Sequence, residues 1–429
     1  RVIVKITFRL PEVPAGGIPL CFEKGAEMTA IDPNSIVDLV LQLRWKSKLA
    51  GHTDCYQASR VNIWRDILPP NLLRELLNKQ SGERIELRFP AGDVIAPFDE
   101  SKLMSINRVQ FKPDLPEVKV AEPAIGRFYP KGALQGIAGI FKANLEPFRC
   151  IALNNGRMTV DFNHPLADKD LVLSAIVGKV EAKTVEMGGS SIDWMETLTA
   201  GPGMQARWQK YQTDYFSGNP FSRHDDRPDT LFYTKPRFTQ HIDDTAVEVV
   251  RGTYGRFLAD GARVLDLMSS WQSHMPKDIN FQKVVGLGLN QKELIKNPQL
   301  DDYVIHDLNA NPILPFDSGT FDSVVCTVSV EYITDPLTIF QEVARILRRD
   351  GYFILMFSNR WFPPKVVRIW REIHEFERMG LVLEYFIRSR RFKELQTYSV
   401  RGLTRPRDDK YFPELRFSDP VFAVWGRAI

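Results

Sequence analysis

Along the first 183 residues, apolar and polar side chains alternate with the two-residue period of half-buried strands. Val2, Val4, Ile6, Phe8 and Leu10 alternate with Lys5, Thr7 and Arg9 until Pro11, Pro14, Gly16, Gly17 and Pro19 break the run. Further strands are predicted at Ile36–Arg44, Arg84–Phe89, Phe148–Leu153 and Leu171–Val180. Phe148–Leu153 runs into Asn154-Asn155-Gly156, a hairpin turn signal, with Arg157–Val160 as the return strand. One helix is predicted over Asn71–Asn78, behind Pro69-Pro70, with Leu72, Leu73, Leu76 and Leu77 on its buried side. This half reads as mostly β with a short helix.

The pattern changes after Thr184. Gly188-Gly189-Ser190-Ser191 is a break. Short helices are predicted at Asp193–Thr199 and Met204–Phe216, on either side of Gly201-Pro202-Gly203. Trp194, Trp208 and Tyr215 are too many aromatics for a free tether, so this segment should pack on its neighbours. From Leu231 helical and strand periods alternate, which predicts a doubly wound α/β sheet. Its strands are Arg263–Leu267, Lys283–Leu287, Tyr303–His306, Ser323–Val328 and Tyr352–Phe357, with helices at Thr245–Leu258 and Pro336–Arg349. Asp335 caps the second helix, and Asp350-Gly351 turns out of it.

Composition narrows the class. At 429 residues, 25% charged and 44% apolar, the chain has room for two or three ordinary globular domains. A net charge of +3 argues for no nucleic-acid partner, and the basic stretch Arg388–Lys393 reads as a solvated face. No apolar run is long enough to span a membrane. Cys21, Cys55, Cys150 and Cys326 lie far apart, which fits reduced, buried thiols in a cytoplasmic protein. The seven scattered histidines show no metal-ligand spacing, so no metal is expected.

In an open α/β sheet ligands bind at the carboxyl ends of the strands. Those ends carry Asp266, Ser269 and Ser270 after the first strand, Gly288 and Asn290 after the second, Asp307 and Asn309 after the third, and Ser329, Glu331 and Tyr332 after the fourth. Pro315-Phe316-Asp317-Ser318-Gly319-Thr320-Phe321-Asp322-Ser323-Val324 is similar to the L-P-F-x-D-x-x-F-D-x-V segment of class I S-adenosylmethionine-dependent methyltransferases. Phe232–Phe238, His241-Ile242-Asp243, Ser269–His274, Ile369–Glu372 and Ser418-Asp419-Pro420 resemble a methyltransferase type 11-like group of cyanobacteria and plants. The resemblance implies S-adenosylmethionine as cofactor, held by Asp266, Ser269, Ser270, Trp271, Asn290, Asp307, Leu308 and Ser329. On the acceptor side it leaves His241, Glu331 and Tyr233 as catalytic candidates, with Arg237 and Tyr332 binding the substrate. The chain departs from the family at the glycine-rich first loop and at the acidic residue ending the second strand.

A second resemblance lies in the first half. Asp161-Phe162-Asn163-His164-Pro165-Leu166-Ala167, followed by an alternating strand, resembles the G-N-H-x-L-A segment of SlyD-type FKBP prolyl isomerases. Leu72–Phe89, with Ser81-Gly82-Glu83-Arg84, resembles that family's helix and G-E strand. The implied organisation is an N-terminal β extension (1–33), an α+β FKBP-like domain (34–98 and 167–183), an inserted flap domain (99–166), a linker (184–230) and the α/β doubly wound, Rossmann-like methyltransferase domain (231–429). The FKBP cleft would be lined by Leu41, Asp54, Leu68 and Ile95. Leu41 and Ile95 stand where tyrosines are usual, which leaves two readings of this half: prolyl isomerase, or peptide-binding module.

Three functions stay open. One is a methyltransferase acting on a protein or peptide acceptor that the first half presents. Another is a chaperone or docking protein with a non-catalytic methyltransferase fold. The third is a small-molecule methyltransferase whose first half serves folding. None of them involves a membrane.

Overall fold

The computed structural model describes residues 30–115, 118–119, 122–183, 189–209 and 211–429. The strand expected at 2–10, Cys21 and most of the 1–33 extension lie outside them. Strands β1 (Ser35–Lys46) and β2 (Gly51–Asn62) form an antiparallel hairpin. Helix α1 (Pro70–Leu76) and strand β3 (Arg84–Phe89) follow. Leu72 and Leu76 of α1 are buried in one core with Leu39, Leu41 and Leu173. The chain then enters an insertion: β4 (Leu103–Asn107), the two-stranded ribbon β5 (Asp114–Leu115) and β6 (Val118–Lys119), then β7 (Phe128–Pro130), β8 (Pro147–Asn154) and β9 (Arg157–Asp161). Strands β4, β9, β8 and β7 make a separate antiparallel sheet around Phe111, Tyr129, Phe148 and Met158. Asn155 and Gly156 both take left-handed φ, which is what the predicted hairpin turn demands. Strand β10 (Leu171–Ala182) returns between β1 and β3.

The segment after β10 is not a tether. Helix α2 (Trp194–Thr199), capped by Asp193, buries Trp194 and Leu198 in the β1–β2 core. Among the described residues, the helix expected at Met204–Phe216 does not form. Gly201 and Gly203 have φ near 100° and Gln209 is left-handed at 52°, so the backbone coils. Met204 and Tyr215 instead enter the core of the second half, and Arg207 pairs with Glu384 at 2.5 Å.

Helices α3 (Asp229–Phe232) and α4 (Asp244–Tyr254) precede the parallel strands β11 (Arg263–Leu267) and β12 (Lys283–Gly288). Helix α5 (Gln291–Ile295), β13 (Asp302–Ile305), β14 (Phe321–Thr327), α6 (Pro336–Ile346) and β15 (Leu347–Phe357) follow. The last elements are α7 (Arg368–Glu372), α8 (Glu375–Ser389), β16 (Phe392–Arg401) and β17 (Val421–Ala428). Helix α6 stops at Ile346, short of the predicted Arg349, because Leu347 already pairs with Phe321 of β14. Asp350 takes the left-handed turn (φ 66°), while Gly351 lets the backbone pass close to the carbonyls of Asp322 and Arg348.

Outside the insertion, the described strands join one eleven-stranded sheet, in the order β13-β12-β11-β14-β15-β17-β16-β2-β1-β10-β3. The halves meet where β16 pairs in parallel with β2, from Gln396 opposite Gly51 to Arg401 opposite Tyr56. Three cleft expectations are corrected at and near this seam. Asp54 is fully buried, accepting bonds from Trp45 Nε1 (2.9 Å) and Ser399 Oγ (2.7 Å) across the junction. Leu41, on the neighbouring strand, is fully buried in the β1–β2 core. Leu68 is buried there too, with Ile95 packed against it. Apolar contact and the Ser399 bond hold Leu41, Asp54 and Leu68 in the interior, so these three do not line an open cleft, and Ile95 is half-buried against them. Cys55, Cys150 and Cys326 are buried free thiols. Among the described residues no helix is long and apolar enough to cross a membrane, and no group of three His, Cys, Asp or Glu is placed to hold a metal.

Candidate cofactor and acceptor site

A cavity opens at the carboxyl ends of β11, β12, β13 and β14. It gathers Tyr233, Arg237, His241, Asp266, Ser269, Ser270, Asn290, Asp307, Leu308, Ser329 and Tyr332, which lie up to 99 positions apart in sequence. Two expected residues are not on its wall. Glu331 turns into the core, 1% exposed, with neither carboxylate oxygen bonded, and burial pushes its pKa up to about 8. Trp271 packs edge-on against Phe238 beside the cavity, ring centres 6.3 Å apart. Of the nearby aromatic residues, Trp370 and Phe376 are buried in the core, whereas Phe362 lines the cavity.

The loop after β11 has no helix; residues 268–282 cross from β11 to β12 as irregular chain. Internal bonds do the work that a helix would have done. Ser269 N donates to Leu287 O (2.7 Å), and Ser269 Oγ donates to Asp266 Oδ2 (2.5 Å). Ser270 Oγ donates to Glu293 Oε2 (2.6 Å), whose other oxygen accepts Arg237 N (2.7 Å). Asn297 holds Ser270 O and Ser273 Oγ from α5's far side. Burial raises the Asp266 carboxyl to about 7, against the hydroxyls of Ser269 and Ser273, so it braces the loop from inside the fold. Gly288 is required by this packing, since a Cβ there would collide with the Ser269 carbonyl.

Asn290 caps α5: its Oδ1 accepts Lys292 N and Glu293 N, and its Nδ2 donates to Tyr233 O (2.7 Å). Both ends of the amide are therefore taken by protein. Asp307 lines the cavity, and its Oδ1 accepts the backbone N–H groups of Asn309 and Ala310, an Asx turn that leaves Oδ2 without a bond from a described residue. Three lining residues, Met268, His274 and Val328, have left-handed φ of 59°, 54° and 43°. For a β-branched valine that conformation is strained, and such strain collects at functional sites.

The segment 229–241 closes one side. Asp229 is buried and pairs with Arg223 (2.8 Å) and the fully buried Lys365 (3.1 Å). Arg237 lies over the rings of Phe232 (4.1 Å), Phe362 (5.0 Å) and Tyr233 (5.4 Å). Its Nη2 donates to Phe232 O, while Nη1 is buried without a partner. Burial lowers the pKa of His241, so its imidazole is neutral at neutral pH, edge-on to Phe362. The Tyr332 hydroxyl accepts Phe362 N at 2.8 Å.

Sequence reasoning missed Glu293, Asp229, His274 and Phe362. Glu293 was legible only as the third residue after a capping Asn290, a helix signal with no hint of ligand chemistry.

Residues 273–355 match the family described as a methyltransferase domain. Comparison with curated proteins gives no match. Similar solved structures include a SAM dependent methyltransferase from Aquifex aeolicus, 15% identical over 44% of this chain and 92% of that one, TM-score 0.29. The YcgJ protein from Bacillus subtilis is 14% identical over 43% of this chain and 97% of its own, TM-score 0.31. An S-adenosylmethionine dependent methyltransferase from Mesorhizobium loti is 16% identical over 39% and 92%, TM-score 0.26. Residues 273–355 thus carry a methyltransferase domain, for which S-adenosylmethionine is the cofactor, within the doubly wound, Rossmann-like part of the sheet.

Proposed function

We propose that this protein transfers the methyl group of S-adenosylmethionine to a protein or peptide acceptor, and that its first half is an FKBP-like module that presents the acceptor. The observation that carries the methyltransferase reading is the strand-end cavity, where one buried donor, Arg237 Nη1, lacks a partner. A buried polar group without a partner is uncommon, and a bound carboxylate satisfies it. Arg237 is joined through Glu293 to Ser270, so it fits the carboxylate of the cofactor's methionine part better than the substrate for which sequence suggested it. Asp307 Oδ2 and the Leu308 side chain would meet the adenine, and Ser329 would line the approach to the methyl. Asn290, with both amide ends engaged, would not reach the ribose.

The cofactor supplies an electrophilic methyl on a sulfonium. The protein's part is to align the acceptor, keep water out and take a proton where the acceptor has one to lose. Neutral His241 is placed for that proton: it lines the cavity, and neither ring nitrogen bonds a described residue. Tyr233, its pKa raised by burial, stays a phenol and can only orient. Glu331, off the wall, has no part in it.

The FKBP-like reading is supported by an antiparallel sheet folded over one helix, with a separate sheet inserted between β3 and β10. With Leu41 and Asp54 buried, a docking role suits it better than isomerisation.

Calorimetric titration with S-adenosylhomocysteine tests the reading. Saturable binding is expected, weakened about tenfold or more in Asp307→Ala, the scale of a lost hydrogen bond to ligand. Methyl label should then pass from the cofactor to polypeptide. Binding without transfer would leave the docking alternative; no binding at millimolar ligand would overturn the proposal.

A further inference from the structure

A second cavity, of about 190 Å³, lies where the inserted sheet meets the 203–209 segment, and it shares no lining residue with the first. Arg149 of β8 forms part of its wall and is 6% exposed. Its guanidinium lies 4.1 Å above the Phe128 ring. Nη2 donates to Ala206 O at 3.0 Å and to Gly203 O at 3.5 Å, while Nε is buried without a partner. No carboxylate among the described residues stands within ion-pair distance, and burial draws the pKa down to about 10. Asp161, Glu377 and Asp168 act on it only from beyond ion-pair distance. A buried charge without a contacting counter-ion is costly, so one inside a cavity points to a missing anion.

The neighbouring cations are already engaged. Arg207 pairs with Glu384 (2.5 Å) and Lys169 with Asp168 (2.9 Å). The cavity also holds an acceptor. Asp161 Oδ1 accepts the backbone and side-chain N–H of Asn163, both at 2.8 Å, but Oδ2 takes no bond from a described residue. Phe98, Phe128 and Trp208 supply flat apolar wall between these polar points.

We propose that this cavity binds a carboxylate with an N–H group beside it, as in an N-acylated amino acid or the C-terminal residue of a peptide. The carboxylate pairs with Arg149, the N–H donates to Asp161 Oδ2, and the side chain lies among the three aromatic rings. The room available suits one residue rather than a long segment.

The full chain, with S-adenosylhomocysteine present to occupy the strand-end cavity, is titrated calorimetrically with N-acetylphenylalanine and with its amide. The acid should give saturable heat. The amide and Arg149→Met should bind at least about tenfold more weakly, the loss expected for a charge-assisted pair. Trp208→Ala, on a surface loop, should weaken the acid several-fold and serves if Arg149→Met does not fold. A peptide ending in phenylalanine that binds tighter than the acetylated acid supports a protein C-terminus as the source; equal binding supports a free acylated amino acid. No saturable heat from the acid at millimolar concentration, or acid and amide binding alike, would overturn the proposal.

Discussion

Glu331 shows how burial decides what a residue can do. Two positions away Ser329 reaches the cavity, but the 3-10 turn after β14 points Glu331 inward, where it meets no donor. Its carboxyl is held up to about 8 against an ordinary 4.5, so the folded state keeps a proton that the unfolded chain releases between those values. Stability should therefore fall as pH rises from about 5 to 8, by at most about 1.4 kcal/mol per pH unit for one proton. Asp266 acts in the same direction over a narrower window. In Glu331→Gln this part of the slope should vanish, and denaturant melts of the two proteins at pH 5 and pH 8 would show it. Parallel pH profiles would count against the assignment. At the same scale, Ser270 and Trp271 separate. Ser270→Ala breaks the link to Glu293 and should weaken cofactor binding several-fold, while Trp271→Ala, off the wall, should leave it within about twofold.

At the scale of elements, the β11–β12 crossover is the unusual feature. The first half of such a domain normally brings its cofactor loop into a helix. Here the chain is held by side-chain bonds to Asp266, Glu293 and Asn297, and by close passage over Gly288. Gly288→Ala should displace the loop. A cost of about 1–3 kcal/mol is expected from overpacking, together with loss of cofactor binding, and thermal melts with and without S-adenosylhomocysteine would read both. If the variant binds normally, the loop is not what shapes the cavity. The strand ends were legible from sequence because hydrophobic runs stop at polar residues there. The bonds bracing the loop were not, since Glu293 lies 23 positions beyond Ser270 and on another element.

The whole molecule is joined by one sheet. An edge strand leaves a row of unpaired backbone groups, and β2 and β16 cover each other's. The two halves should therefore unfold in a single calorimetric transition. Asp54→Ala removes the acceptor for Trp45 and Ser399 at this seam and leaves both donors buried, a loss of roughly 2–4 kcal/mol. Two resolved transitions in the unaltered protein would show the seam to be weak.

The sequence by itself determined the local elements: the strands at 84–89 and 263–267, the Asn155-Gly156 hairpin, the capped helix after Asp335 and the polar strand ends. Each depends on neighbours within a few positions, where periodicity and capping act. The tertiary structure alone decided that Asp54 seals a seam, that Glu331 faces the core, that 204–209 and 211–216 coil, and that Arg149 and Arg237 each keep a buried nitrogen without a partner. Those outcomes depend on which distant segments exclude water around a side chain, and no local pattern records that.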